Sequence, residues 1–178
     1  MSTVVKYLID SNIFIDGHNR FYHPKFCDLF WDWLNAGFIQ HAFFSIDKVK
    51  DEVTKPDPTK NELSRLISAN RLPSQFFVSS LANQNLFKSY NEVISWSTNH
   101  NFYSSAAKEE FASSTIADAY LISVAKAEGY TIVTAETSQP HDKNRIRIPD
   151  AAKIFNVKTV RLDQLLKLHA EDNFKFKL

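Results

Sequence analysis

The chain has 178 residues, of which 44% are hydrophobic and 13% aromatic, and its formal net charge is +1. This composition excludes an intrinsically disordered chain, and the length predicts a single domain over residues 1–178. The single cysteine, Cys27, excludes an internal disulfide and a multi-cysteine zinc site, and no segment approaches the roughly 20 apolar residues of a membrane span. We therefore expect a cytoplasmic protein without a membrane partner, in which any contact with nucleic acid depends on a local patch and on metal.

A nearly continuous apolar stretch at residues 4–9 is the first predicted element. It is typical of a central strand of a parallel sheet, covered on both faces. A helix is then predicted from Pro24 to a break at Gly37, with apolar residues at helical spacing. These residues are Phe26, Leu29, Phe30, Trp33 and Leu34. We expect the aromatic members to lie in the core or at a dimer interface.

The middle of the chain predicts a second strand and several helices. The strand is expected within residues 38–44, and Ser45 is suited to cap a helix that the prolines following Lys55 would end. A helical insertion is predicted around residues 59–103. Its predicted parts are helices at 60–69 and 81–98 and a short apolar stretch at 76–78. A short helix is expected at 106–111.

The last third of the chain predicts alternating helices and strands. A helix opened by Thr115 is predicted to end at Gly129, and a strand should follow at 130–134. Then come a helix at 151–155, a strand at 157–162 and a helix at 163–169, whereas residues 174–178 could form an edge strand or a frayed tail. This alternation predicts a three-layer α/β/α sandwich with a central, mostly parallel sheet. In such sheets, sites form beyond the carboxyl ends of the strands.

Four acidic residues occupy positions at which these elements would bring them together. Asp10 ends the first strand and Glu136 follows a later one, so both emerge at one edge if those strands are neighbours. Glu52 and Asp118 border the apolar sides of their helices. Facing carboxylates repel each other, whereas Mg²⁺ or Mn²⁺ prefers such oxygen ligands and can activate a water at a phosphorus atom. The four acids together predict a shared metal site.

Each acid also has a plainer interpretation that the sequence leaves open. Asp10 could cap the next segment, and Glu136 could be an ordinary loop residue. Glu52 could be a solvated helix residue, and Asp118 could belong to a capping box opened by Thr115. Asp51 competes with Glu52, which we prefer because its position borders the apolar stripe of its helix.

The four acids lie in the segments Tyr-Leu-Ile-Asp-Ser-Asn-Ile-Phe at 7–14, Ser-Ile-Asp-Lys-Val-Lys-Asp-Glu-Val at 45–53, Ala-Asp-Ala-Tyr-Leu-Ile at 117–122 and Ile-Val-Thr-Ala-Glu at 132–136. These segments resemble those of PIN-domain nucleases. The order of the acids is similar to that in the toxin ribonucleases of VapBC-type toxin–antitoxin modules. Within that group the chain most closely resembles the DUF4411 proteins, and the resemblance extends from Lys6 to Leu168.

This resemblance implies a PIN-like fold and a Mg²⁺- or Mn²⁺-dependent endoribonuclease, the toxin of a type II toxin–antitoxin pair. Asp10, Glu52 and Asp118 would be metal-binding acids. Glu136 stands where many members have Asp, so its contact with metal would be direct or through water. The polar residues Asn12 and Thr134 would support the site. The implied partners are RNA, a protein antitoxin and a second copy of the chain.

Basic residues on both sides of the predicted crevice could bind RNA phosphates. They are Arg20 and Lys25 after the first strand, and Lys143, Arg145 and Arg147 after Glu136. Each could equally be an ordinary solvated residue. His18 and His23 are assigned to the rim as well, because no partner spacing in the sequence supports imidazole catalysis.

Two other classes of function remain as alternatives. A phosphatase of the haloacid-dehalogenase type also carries Asp after its first strand, but it needs a second Asp where this chain has Asn12. A non-catalytic PIN-like module could keep the fold and bind RNA or protein. No Gly-x-Gly-x-x-Gly segment supports nucleotide-cofactor binding.

Overall fold

The computed structural model describes residues 4–54, 62–69 and 71–178. Its strands are β1 (Tyr7–Ile9), β2 (Phe43–Ile46), β3 (Phe77–Val78), β4 (Thr131–Val133), β5 (Thr159–Val160), β6 (Ala170–Glu171) and β7 (Lys175–Phe176). Its α-helices are α1 (Ser11–Asp16), α2 (Pro24–Cys27), α3 (Leu29–Ile39), α4 (Asp47–Thr54), α5 (Glu62–Ser68), α6 (Gln84–Asn99), α7 (Ser105–Phe111), α8 (Asp118–Glu128), α9 (Ile148–Ile154) and α10 (Leu162–His169). A π-helical turn covers Gly17–Phe21, and 3-10 turns cover Ser74–Phe76 and Asp172–Phe174.

Five parallel strands form the central sheet in the order β3-β2-β1-β4-β5. Leu8, in the middle strand, lies opposite Phe44 of β2 and Ile132 of β4. Helices flank the sheet, with α3 and α4 packed against β2 and α8 against β4. This arrangement confirms the predicted α/β class with layers of helices around a parallel sheet.

The first strand is shorter than predicted. Its three residues are buried, whereas Val4 and Val5 are 44% and 53% exposed. The neighbouring strands explain the difference, because the pairing of β1 with both begins only at Tyr7. The prediction of a strand covered from residue 4 was therefore wrong, although the covered centre was predicted correctly.

The predicted helix from Pro24 to Gly37 is two helices, α2 and α3, and Gly37 does not end the second one. Phe26 is 71% and Leu29 48% exposed, since the break between the helices turns them away from the core. The other predicted stripe residues, Phe30, Trp33 and Leu34, are fully buried. A Cβ on Gly37 would lie 2.1 Å from the Phe43 ring, so this glycine permits close packing of α3 on β2.

Ser45 lies inside β2 rather than at a helix cap, so the predicted boundary between strand and helix was wrong. Its buried hydroxyl donates a 2.6 Å hydrogen bond to the Ile9 carbonyl, which fastens β2 to the end of β1. The Asp47 carboxylate accepts hydrogen bonds from the backbone N–H groups of Lys48 and Ser80, at 2.8 and 3.1 Å. These contacts fix the start of α4, the helix that carries Glu52.

The region predicted as a helical insertion contributes a strand to the central sheet. Residues 77–78 form β3 at its edge, and α6 and α7 follow with boundaries close to those predicted. Helix α6 packs on α8, where the Tyr90 and Tyr120 rings stack at 4.4 Å and Ser89 donates a hydrogen bond to the Ser123 carbonyl at 2.8 Å. The predicted break at 55–58 and the first residues of the predicted 60–69 helix lie outside the described residues.

The last third follows the predicted order, with shorter strands. Helix α8 ends at Gly129 as predicted, and the φ of +74° there is a conformation that glycine adopts at little cost. The helix begins at Asp118 rather than at Thr115, whose hydroxyl instead lies 2.9 Å from that of Ser113. The C-terminal segment pairs as β7 with β6 in a separate antiparallel sheet, so it is an edge strand but not one of the central sheet.

None of the helices that the structure describes combines the length and apolar character needed to cross a bilayer.

Candidate functional site

Asp10 and Glu136 lie at the same edge of the sheet because β1 and β4 are neighbours. The Asp10 N–H donates a 3.0 Å hydrogen bond to the Val133 carbonyl, so the parallel ladder continues to the end of both strands. Asp10 is only 1% exposed, and Glu136 follows β4 by three residues. The condition that the sequence argument set for a common edge is therefore met.

The Asp10 carboxylate is buried, and no ion pair within residues 4–54, 62–69 and 71–178 balances its charge. Its Oδ2 accepts a 2.8 Å hydrogen bond from the Thr134 hydroxyl, and its Oδ1 accepts a 3.3 Å bond from the Ser11 hydroxyl. Burial nevertheless raises the pKa of Asp10 to about 6, with smaller contributions from the charges of Glu136 and Glu52, while the Thr134 bond opposes the shift. The two hydroxyl groups and the Ser11 N–H, which also donates to this carboxylate, do not replace the lost hydration.

Glu52 links helix α4 to the beginning of helix α8. Its Oε1 accepts a 2.7 Å hydrogen bond from the N–H of Ala117, the residue immediately before α8. The first N–H groups of a helix have no partner within it and favour a negative charge, so this contact is a stable place for the carboxylate. It also directs Glu52 towards the acids at the strand ends, rather than into solvent.

Asp118, the first residue of α8, is the fourth acid of the group. It is partly buried, and burial raises its pKa well above the usual range. The charges of Asp10, Glu136 and Glu52 add to this rise, in that order, and Arg145 opposes it. No hydroxyl of Thr115 caps the helix here, so the capping-box interpretation of Asp118 is not supported.

Glu136 is the best compensated of the four acids. Its side chain is 6% exposed, its Oε2 accepts a 2.7 Å hydrogen bond from the Ile148 N–H, and its Oε1 lies 2.9 Å from Nη2 of Arg145. Its own N–H donates to the Thr134 hydroxyl at 3.1 Å. Thr134 thus connects the Asp10 carboxylate to the Glu136 backbone.

The predicted basic rim is only partly directed towards the acids. Arg145 does face the acids, because it forms an ion pair with Glu136. The sequence did not predict this ion pair. Arg20 lies 3.5 Å from the carboxylate of Asp16, and Arg147 lies 3.4 Å from that of Asp142. The Lys143 ammonium lies 5.7 Å from the centre of the Phe102 ring. Lys25 is exposed on α2.

The sequence did not predict a cavity of about 200 Å³ next to Asn12 and Thr134. Phe21, which is 60% exposed, and Arg161, which follows β5, also line it. The Arg161 Nε donates a 3.1 Å hydrogen bond to Asp163, so the guanidinium is held at the cavity wall. No feature of the sequence around Arg161 distinguishes it from other surface arginines.

The donor chemistry of the acid group fits a hard divalent cation. All four side chains offer carboxylate oxygens, and the pKa values of Asp10 and Asp118 are raised by burial and by the charges of the neighbouring acids. The oxygens of the four acids are not as close to one another as the ligand atoms of an occupied metal site. Within residues 4–54, 62–69 and 71–178, the group with three ligand atoms within 4.8 Å of one another is another one, His18, His23 and Glu62.

This histidine cluster could also hold a metal ion, and it corrects the assignment of His18 to the rim. The His18 side chain is 7% exposed and lies against His23, with the ring centres 4.7 Å apart. Both rings face Glu62, the first residue of α5. No sequence pattern indicates this partner, because it lies 39 residues after His23.

The comparison with known proteins assigns the chain to a family. No curated protein and no solved structure matches it. One family model, described as "Domain of unknown function (DUF4411)", matches residues 7–174. The match extends from the first residue of β1 nearly to the C-terminus and agrees with the resemblance of the sequence to the DUF4411 proteins. The chain therefore belongs to the DUF4411 family.

Proposed function

We propose that the protein is a Mg²⁺- or Mn²⁺-dependent endoribonuclease related to the PIN-domain nucleases. The observation that carries this proposal is the pair Asp10 and Asp118. Both carboxyl groups have raised pKa values, to which the negative charges of neighbouring acids contribute. Asp10 is buried at the carboxyl edge of a parallel sheet. Such a pair is costly for the fold on its own, whereas a bound dication makes it favourable.

The four acids have distinct tasks in this proposal. Asp10 and Asp118 would hold the ion, because their charges are the least compensated. Glu52, fixed by the Ala117 N–H, and Glu136, fixed by the Ile148 N–H, would complete the negative surroundings directly or through water. A bound Mg²⁺ or Mn²⁺ would supply an activated water and offset the charge that develops on the phosphoryl group.

Arg145 and Thr134 would adjust this group for catalysis. Thr134 holds the Asp10 carboxylate in one orientation, with its Oδ1 side left to the weaker bond from Ser11. Arg145 balances Glu136 and is 44% exposed, so its guanidinium is accessible to an RNA phosphate. These two residues would act by positioning acids and substrate, without exchanging a proton.

A single-stranded RNA suits the surroundings of the acids. The cavity beside Asn12 presents the exposed ring of Phe21 and the guanidinium of Arg161. Unpaired bases can stack on such groups, whereas bases within a duplex are already stacked on one another. We therefore expect cleavage in loops or unpaired segments.

The test is cleavage of a panel of structured RNAs with Mn²⁺ or Mg²⁺, followed on sequencing gels. Asp10→Asn and Asp118→Asn should each abolish cleavage in proteins whose circular dichroism is unchanged. Glu52→Gln should reduce cleavage strongly, whereas the matched control Asp51→Asn, on the same helix, should cleave normally. Normal cleavage by Asp10→Asn or by Asp118→Asn would refute the mechanism. A wild-type protein that binds RNA without cutting it would support a non-catalytic module instead.

The role as a toxin of a type II toxin–antitoxin pair is a further part of the proposal, supported by the order of the acids. Induced expression of the wild-type chain should arrest bacterial growth, and expression of Asp10→Asn should not. Co-expression of a small protein encoded next to this gene should relieve the arrest. If RNA is cleaved in vitro but growth continues, the nuclease proposal stands and the toxin role fails.

A further inference from the structure

The histidine cluster has the spacing of a metal site. Nε2 of His23 lies 3.3 Å, and Nε2 of His18 3.9 Å, from the same atom, Oε2 of Glu62. In a tetrahedral zinc site with bonds of about 2.0–2.1 Å, neighbouring ligand atoms are roughly 3.3 Å apart. Of the three pairs of ligand atoms, one therefore has the required separation already and a second would have to close by about 0.6 Å. All three atoms lie within 4.8 Å of one another.

His18 is oriented as a metal ligand. Its Nδ1 lies 2.9 Å from the side-chain oxygen of Asn19, which can only accept, so the proton of the neutral ring is on Nδ1. Its Nε2 therefore carries a lone pair, is buried, and has no hydrogen-bond partner among the described residues. In the neutral ring this lone pair faces the Glu62 carboxylate at 3.9 Å, an arrangement that is repulsive until a proton or a metal ion lies between them.

His23 must change tautomer to join such a site. Its Nδ1 accepts a 3.2 Å hydrogen bond from the N–H of Lys25, which leaves the proton on Nε2 and directs it at Glu62. Coordination through Nε2 would move that proton to Nδ1 and release the Lys25 N–H. This bond is the N-cap of α2, so its release weakens the start of that helix, although water can replace the acceptor at the exposed Lys25.

We propose that the histidine cluster is a second metal site, separate from the acids, which binds a transition-metal ion of the Zn²⁺ class through His18, His23 and Glu62. Mixed imidazole and carboxylate ligands suit Zn²⁺, whereas the all-carboxylate group suits Mg²⁺ or Mn²⁺. The Glu62 side chain is 50% exposed, so an ion could reach the cluster from solvent. A water molecule could then serve as the fourth ligand.

The position of this site gives the ion a structural role. His18 belongs to the π-helical turn after α1 and His23 precedes α2, whereas Glu62 begins α5. Helix α5 packs on α4, where Ser64 donates a 3.0 Å hydrogen bond to the Thr54 carbonyl. An ion in the cluster would therefore connect the turn after α1 to the pair of helices α4 and α5, and Glu52 lies on α4.

The test is metal titration of the double variant Asp10→Asn, Asp118→Asn, in which the acid group is disabled. Calorimetry should detect one equivalent of Zn²⁺, with a rise in Tm, and Co²⁺ should give the visible absorption of a tetrahedral site. Added His23→Ala or Glu62→Gln, both at partly exposed positions, should weaken Zn²⁺ binding by at least about 100-fold. The exposed His141→Ala is the matched control and should bind normally.

Three results would overturn the proposal. They are no Zn²⁺ uptake by the folded protein, uptake that His23→Ala and Glu62→Gln leave unchanged, and a Co²⁺ spectrum with a thiolate charge-transfer band. The last result would assign the ion to Cys27. Because the acid group is disabled in the tested protein, these outcomes are independent of the nuclease proposal, which stands or falls on RNA cleavage.

Discussion

Replacing Asp10 by Asn should stabilise the metal-free protein at neutral pH, although it should abolish catalysis. The pKa of Asp10 is raised from 3.8 to about 6, mainly by burial. Below pH 3.8 the carboxyl group is protonated in both the folded and the unfolded chain and costs nothing. As the pH rises, the unfolded chain loses this proton first, and the folded chain keeps it until about pH 6, so the folded state loses stability across this interval.

The size of the effect follows from the shift. At about 1.4 kcal/mol per pKa unit, the change from 3.8 to about 6 corresponds to roughly 3 kcal/mol of unfolding free energy. Asn has no such titration, and its neutral side chain also relieves Asp118, whose pKa is raised by the charge of Asp10. The variant should therefore gain about 3 kcal/mol relative to the wild type between pH 4 and pH 7.

Urea unfolding in EDTA, followed by circular dichroism at pH steps from 4 to 7, measures this difference. The variant Asp172→Asn, at an exposed aspartate in a C-terminal turn, is the control. Saturating Mn²⁺ at pH 7 should stabilise the wild type by about 2.7 kcal/mol at a hundredfold excess over Kd, and the Asp10→Asn variant much less. Parallel pH curves for Asp10→Asn and the wild type would refute the claim that this carboxylate is held at a cost.

Three further predictions test single contacts. Thr134→Val removes the hydroxyl that donates to Asp10 and accepts from the Glu136 N–H, so it should cost about 1–3 kcal/mol in urea unfolding and weaken Mn²⁺ binding in calorimetry. Arg145→Gln removes the cation beside Glu136, so calorimetry should find Mn²⁺ binding tightened a few-fold while RNA cleavage slows. Gly37→Ala should destabilise by about 1–3 kcal/mol because its Cβ would enter the Phe43 ring, whereas Gly17→Ala, whose Cβ would lie 3.1 Å from Phe30, should cost less.

The sheet edge that carries the acids was predictable because its determinants are local. A buried run of apolar residues ending in Asp10 marks the end of a strand, and a glycine closing a helix, Gly129, locates the next strand. The hydrogen-bond ladder then places Asp10 beside Val133. Parallel pairing of the two strands was the one assumption that the sequence could not prove.

Other features depend on contacts that no local pattern contains. Glycine often ends a helix, yet Gly37 lies within α3, and its lack of a side chain makes room for the Phe43 ring. The two-residue strand β3 is too short to give a periodic pattern. The neighbours of His18 and Arg145 come from the tertiary fold, through Glu62 and Glu136 respectively. Such pairings follow from the arrangement of whole elements, so only the structure could identify them.

The four acids differ in how far neighbouring groups balance their negative charges, and this difference indicates which of them would bind an ion. The charge of Glu136 is balanced by Arg145 and a backbone N–H, and that of Glu52 by the N–H before α8. The Asp10 carboxylate accepts hydrogen bonds from the Thr134 and Ser11 hydroxyl groups and from the Ser11 N–H, yet its pKa stays raised. The pKa of Asp118 is raised as well, although the charge of Arg145 opposes the rise. A dication lowers the energy most where negative charge is least compensated, so it should bind between Asp10 and Asp118. The side chains of Glu52 and Glu136 would then complete the negative surroundings of the ion from their N–H donors, directly or through water.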